Sequence, residues 1–336
     1  MAKNLLSDIV EANRDGSEVV EAVMLQKTED LSSNLRFISV LQQQPFLKKI
    51  VKKLTAKDQP DTQDSYILAN LEKVREMLLK GLAQSFCQVS TGLGDDGRKR
   101  LEFFQSHWTE RYQLFEKTRP AARALRPQRK KTKSSADPAE ARLVPWPAIR
   151  APYVPPKKDI ALCVSVEGLD VSYLSQLVPC DVMRTEDYYP VLVFAEILSR
   201  TEGPLYTSIR GQGFAYGASI SIYKWYGQMA FNVREATSPD KALECLYEIL
   251  STLPQKADTL LSEFEIETAK AAVTFRLYSQ RSTAAQVISK TLESVLMGFE
   301  TLEQEAEARE KMSHVTRVDL LRVYHRHFSK FLESSG

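Results

Sequence analysis

Apolar positions recur at three- and four-residue spacing through residues 1–84, which predicts helices. Val19, Val20, Val23 and Met24 begin one stripe, and Leu35, Ile38 and Leu41 continue it. Pro45 follows three glutamines and suits the first turn of a new helix whose apolar residues are Phe46, Ile50, Val51 and Leu54. A third helix carries Ile67, Leu71, Val74, Leu78 and Leu82. Ser85 to Ser90 predicts a lone strand, closed by the turn signal Gly94-Asp95-Asp96-Gly97. Leu101, Phe104, Trp108, Tyr112 and Phe115 give one more helix.

The pattern breaks at Arg119. Residues 119–156 hold eight of the fifteen prolines, and seven basic residues from Arg119 to Lys133 precede the first acid of the stretch, Asp137. Proline fixes φ and removes donors, and like charges repel, so residues 119–158 read as a linker. It should be cut first by trypsin, between Arg119 and Arg142, leaving 159–336 as a compact core. Beyond it, Ile160 to Glu167 predicts a strand, and a helix follows over Pro190 to Arg200. Residues 214–233 read as a hairpin turning near Lys224-Trp225-Tyr226-Gly227. Ser238-Pro239-Asp240 opens a helix with buried face Leu243, Leu246, Ile249 and Leu250, and the remainder to Leu332 is helical. The expected class is α+β, a short sheet with helices packed on it.

Composition narrows the function classes. With 45 basic and 43 acidic residues the net charge is +2, so no global field draws in nucleic acid. No apolar run reaches the roughly 18 residues of a membrane span. Asp8 and Glu11 in the first residues argue against a secretory or transit leader, which points to an intracellular protein. The four cysteines (Cys87, Cys163, Cys180, Cys245) lack metal-site spacing and read as reduced thiols, with Cys87 and Cys163 as small core residues.

Glycine placement is the sharpest local signal. Gly203, Gly211, Gly213, Gly217 and Gly227 fall within 25 residues, and this stretch carries Arg210 before a turn and Tyr216 after it. Two such donors converging on one point could hold a peptide carbonyl or a developing oxyanion. Equally, Arg210 could pair with a surface carboxylate while Tyr216 packs as a strand aromatic. His107-Trp108-Thr109-Glu110-Arg111 begins like HxxEH but ends in arginine, so a zinc ligand is missing. His325 and His327 sit two apart on a helix, on different faces, and read as surface or helix-end histidines. No complete catalytic set is present. The basic run Arg129-Lys130-Lys131-Thr132-Lys133 reads either as a nuclear-import or nucleic-acid patch or as a solvated linker; it lacks interleaved aromatics for base stacking.

The segment Pro204 to Gly217, PLYTSIRGQGFAYG, resembles the C-terminal-half signature of the M16, or pitrilysin-type, metallopeptidases, an (I/L)R-x-x-G-x-A-Y-(G/S) stretch. Phe37 to Leu54 resembles the helical part of the preceding domain in the single-chain branch that includes the presequence proteases and fungal relatives. The resemblance implies an α+β domain of the mitochondrial-processing-peptidase type at 159–336. Residues 1–118 would be the mostly helical remainder of a third domain, and the chain a fragment or a natural short form of a longer protein. In such enzymes zinc and HxxEH sit in the other half. Arg210 and Tyr216 would then bind substrate, with Gly211, Gly213 and Gly217 shaping their loop. The implied function is the substrate-orienting half of a zinc metalloendopeptidase acting on unfolded peptides, not hydrolytic alone and holding no zinc itself. Its partner would be an N-terminal catalytic half, in the cytoplasm or mitochondria. The alternatives are a non-catalytic subunit pairing with a separate catalytic chain, and an interaction or nuclear protein using the basic linker.

Overall fold

A computed structural model describes residues 2–28, 39–55, 69–76, 161–164, 169–297 without Arg184 and Trp225, and 310–333, with Ser106 and Ala306. Residues 1–64, 152–277 and 303–336 form one compact unit, and residues 65–151 with 278–302 a second. The site lies in the first unit. Three helices open it: α1 (Ala2–Ala12), α2 (Gly16–Thr28) and α3 (Val40–Thr55). Helix α3 starts five residues before Pro45, so the proline lies inside the helix rather than in its first turn. Its missing N–H therefore removes one bond of the ladder, to the residue four back. The strand expected at 85–90, the helix at 101–115 apart from Ser106, Cys87 and the linker fall outside the described residues.

The sheet has three antiparallel strands in the order β1-β3-β2, with β1 at Ser172–Pro179, β2 at Ala215–Tyr223 and β3 at Gln228–Ala236. The hairpin forms as its alternation predicts, with Tyr223 opposite Gln228 and Ile220 opposite Phe231. The first strand does not lie where expected. Residues 161–164 are exposed and not in a strand, and Cys163 is exposed rather than in the core. Instead 172–179 pairs with β3, matching Val178 to Met229 and Gln176 to Phe231. A strand is chosen by what its faces meet across the sheet, and the apolar run at residues 161–164 does not by itself supply such a partner.

The two faces of the sheet differ. Met229, Phe231 and Val233 project alternately to one face of β3 and are almost wholly buried. On the other face Ser175 donates to Asn232 at 2.8 Å, and Asn232 donates to Ser221 at 3.1 Å, a polar line across all three strands. Helices cover the apolar face. Helix α4 (Tyr188–Ser199) is buried along Val191, Val193, Phe194, Ile197 and Leu198, and Pro190 falls in its first turn, where its lost donor costs nothing. Helix α5 (Pro239–Leu260) contributes Leu246, Leu250 and Leu253. It runs through Pro254, which leaves the carbonyl of Leu250 without its helical donor. The buried Tyr324 hydroxyl donates to that carbonyl at 2.8 Å, so no acceptor is orphaned.

Helix α6 (Glu263–Ser279) follows, α7 (Ala284–Met297) lies in the second unit, and α8 (Arg317–Val323) begins at a capping box of Thr316 and Asp319. A π-turn at Tyr324–Phe328 and a short α9 (Lys330–Glu333) complete the C-terminal segment, with Phe328 4.4 Å from Phe194, centroid to centroid. The fold is thus α+β, helices on a small antiparallel sheet. Among the described residues no helix is long and apolar enough to cross a membrane.

Candidate functional site

The glycine-rich stretch becomes a turn clamped at several points. Leu205 and Ile209 are fully buried and anchor a π-helical turn at Tyr206–Arg210. The N–H of Gly211 donates to the Tyr206 carbonyl at 3.0 Å, and that of Phe214 to the Ile209 carbonyl at 3.0 Å. Two glycines are required for different reasons. At Gly211 a Cβ would lie 2.4 Å from the backbone oxygen of Thr207, so nothing larger fits. Gly213 meets nothing within 4 Å but has φ +77°, a conformation that side chains disfavour. Thr237 Oγ1 then ties the turn to the start of α5, donating to the Gly213 carbonyl at 2.9 Å.

This backbone sets Arg210 beside Tyr216. The guanidinium carbon lies 4.4 Å from the centre of the Tyr216 ring and 5.3 Å from that of Tyr206. Arg210 is exposed and Tyr216 is 59% exposed, so neither is packed into the sheet. No described carboxylate pairs with Arg210. Ring contacts of this kind are worth about 0.5–1 kcal/mol at exposed sites, enough to bias the side chain without consuming its N–H donors. Gly217, next along β2, faces the Arg234 guanidinium, whose Nη2 would lie 3.5 Å from an added Cβ. The arrangement places a guanidinium fork and a phenol hydroxyl together at the surface, able to donate to one oxygen-bearing ligand.

A second polar cluster has no forerunner in the sequence pattern. Asp187 precedes α4, and its side chain is 6% exposed. It does not cap that helix. It accepts instead from Arg322 Nε at 2.9 Å, Arg326 Nη1 at 3.1 Å and His327 Nε2 at 3.1 Å. Burial alone would push the Asp187 carboxyl up, but the hydrogen bonds from His327, Arg322 and Arg326 hold it below the usual carboxylate range. Burial depresses His327, which Asp187 only partly offsets. Its Nδ1 is buried with no partner. His327 is therefore not a surface histidine: the π-turn directs it inward to a carboxylate 140 residues earlier, while His325 stays exposed. A conserved spacing could not announce this contact; only the tertiary fold brings Asp187 to the C-terminal turn.

Burial pushes the Cys180 thiol up to about 12, which keeps it an inert core residue. Among the described residues no group of three His, Cys, Asp or Glu side chains is placed to hold a metal ion. His107 and Glu110 lie outside the described residues.

Residues 128–273 match the family described as the peptidase M16 inactive domain. Over 125 residues the chain is 28% identical to the uncharacterized protein C05D11.1 of Caenorhabditis elegans, covering 37% of this chain and only 12% of that one. Among solved structures, a conserved protein from Enterococcus faecalis is 23% identical with a TM-score of 0.41, covering 48% of this chain and 38% of its own. A protease from Helicobacter pylori is 13% identical with a TM-score of 0.42, covering 50% and 41%. The matched stretch, residues 128–273, contains both Arg210 and Tyr216 and so ties the turn that carries them to the peptidase M16 inactive domain by similarity.

Proposed function

We propose that this chain is the substrate-orienting half of an M16-type metalloendopeptidase that acts on unfolded peptides, working with a catalytic half or subunit that supplies the hydrolytic centre. One observation carries it. Arg210 is an exposed guanidinium held against the Tyr216 ring with no described carboxylate to neutralise it. A peptide carbonyl in reach would accept from both the guanidinium and the Tyr216 hydroxyl, and both bonds would strengthen as charge develops on that oxygen. The chain's own contribution is then to bind, orient and polarise. No step of bond cleavage is assigned to it. The division at residues 118 and 158 belongs to the same proposal.

Peptidase assays on the enzyme reconstituted from this chain and an M16 catalytic half test it. Tyr216→Phe keeps the ring and removes one donor; kcat should fall by roughly 10²-fold, the cost of losing one oxyanion donor. Arg210→Lys should also lose activity, because an ammonium cannot reproduce the planar fork. Near-normal rates for both variants would reduce the two residues to loop structure.

A further inference from the structure

We infer that Tyr206 is a positioning residue for Arg210, acting through its ring and not through its hydroxyl. This role rests on the substrate-orienting function proposed above, because a held guanidinium matters only if Arg210 meets a ligand.

Tyr206 and Arg210 are the first and last residues of one π-turn. The buried pair Leu205 and Ile209 and the bond from Gly211 N–H to Tyr206 O fix that backbone. Single π-turns of this kind recur at functional sites, where they re-aim a side chain. Here the guanidinium carbon lies within cation–π range of two rings, 5.3 Å from Tyr206 on the turn and 4.4 Å from Tyr216 on β2. A long exposed side chain would ordinarily lose rotamer entropy on fixing one geometry for a ligand. Two rings restrain it beforehand, while the N–H groups stay available because rings take no hydrogen bond from them in this mode. The Tyr206 hydroxyl makes no hydrogen bond to any described group. The two tyrosines therefore divide the work: Tyr216 supplies a ring and a donor, Tyr206 a ring alone.

The full chain tests this directly, with ¹⁵N NMR of the arginine Nε–H groups. The Arg210 resonance is identified by its loss in Arg210→Lys. In the wild type it should be shifted by the rings and show a restrained heteronuclear NOE. Tyr206→Phe should leave both unchanged, and Tyr206→Leu should return the resonance toward that of a mobile arginine. Binding of fluorescein-labelled β-casein, an unfolded polypeptide, should weaken roughly two- to fivefold in Tyr206→Leu and not in Tyr206→Phe, the equivalent of about 0.5–1 kcal/mol for one exposed cation–π contact. An unshifted, mobile Arg210 in the wild type overturns the inference without any variant, as does a Tyr206→Phe variant that behaves like Tyr206→Leu. If the NMR signature holds while neither Arg210→Lys nor Tyr216→Phe alters casein binding or peptidase rate, the substrate-orienting function fails and Tyr206 positions an arginine without a ligand.

Discussion

Two groups of arginines sit in the same unit and are held in opposite ways. Arg322 and Arg326 surround the nearly buried carboxylate of Asp187, and Arg322 also pairs with Asp319 at 2.6 Å. Arg210 has two aromatic rings and no described carboxylate. In the first group charge is matched on the spot, so the cations close the fold and have little left to offer a ligand. In the second, rings orient the guanidinium without neutralising it. Matched charge is structure; oriented but unmatched charge at a surface is capacity for recognition. Further ion pairs of the unit, among them Arg200 with Glu265, Arg276 with Glu196 and Arg317 with Asp258, fall on the structural side.

The largest expected effect tests the matched side. Asp187→Ala removes the buried carboxylate that Arg322, Arg326 and His327 share, and breaking such a cluster should cost about 3 kcal/mol, the low end of the buried range because Arg326 is half exposed and Arg322 keeps Asp319. Urea unfolding would read this as a lowered midpoint. Tyr216→Phe, on the unmatched side, should change stability by no more than about 0.5 kcal/mol, since the site is exposed and the ring is kept. Equal destabilisation by the two would erase the contrast.

A smaller effect sharpens the unmatched side. Gly211→Ala forces a Cβ against the Thr207 carbonyl and should cost about 1–3 kcal/mol through overpacking, while shifting Arg210 relative to Tyr216. Gly213→Ala has room and should cost only about 1 kcal/mol, for its positive φ. The Arg210 Nε–H resonance should move in the first variant far more than in the second.

How far these features were legible follows from the range of the contacts that make them. The hairpin and its turn are local, so alternation in FAYGASISIY and QMAFNV was enough. Arg210 and Tyr216 are six residues apart across glycines, and their meeting was readable as a possibility. Strand β1 was not, because Tyr173, Ser175 and Leu177 alternate with Leu174, Gln176 and Val178 without a clear apolar face, and pairing with β3 some 55 residues on decides it. The pairing of His327 with Asp187 spans 140 residues and was invisible for the same reason. Tyr206 sits four residues before Arg210, but an aromatic ahead of a buried isoleucine reads as core until the ring is seen against the guanidinium.

The C-terminal π-turn offers a next, smaller test. Tyr324→Phe keeps the ring against Phe194 but strips the Leu250 carbonyl of the donor that Pro254 cannot provide. The loss should be about 1–2 kcal/mol by thermal melting, and Pro254→Ala in the same background should recover much of it by restoring a backbone N–H. No such rescue is expected for Asp187→Ala, where the unmatched groups are cations and not an acceptor.

The smallest effect is in pH, and its sign comes from the Asp187 cluster. His327 is depressed below its ordinary value by burial, against the pull of Asp187 and with Lys330 and Arg326 adding to the depression. The unfolded chain therefore takes up a proton near pH 6.5, the usual histidine value, before the folded chain does. Stability from this group is complete above that pH and declines as pH falls toward the depressed folded value, with a slope of at most about 1.36 kcal/mol per pH unit for one proton. The neutral ring explains the direction. With Nε2–H donating to Asp187, a second proton would have to enter at the buried Nδ1, which has no acceptor to meet it. Asp187 acts in the same direction at lower pH: its carboxyl is held below the ordinary value, so its stabilisation is present above about pH 3.9 and is lost as pH falls through its folded value. Urea midpoints measured from pH 8 to 5 should fall in the wild type below about pH 6.5 and lose most of that slope in His327→Gln. An unchanged slope in that variant would mean that another group sets the acid sensitivity and that His327 belongs to the surface after all.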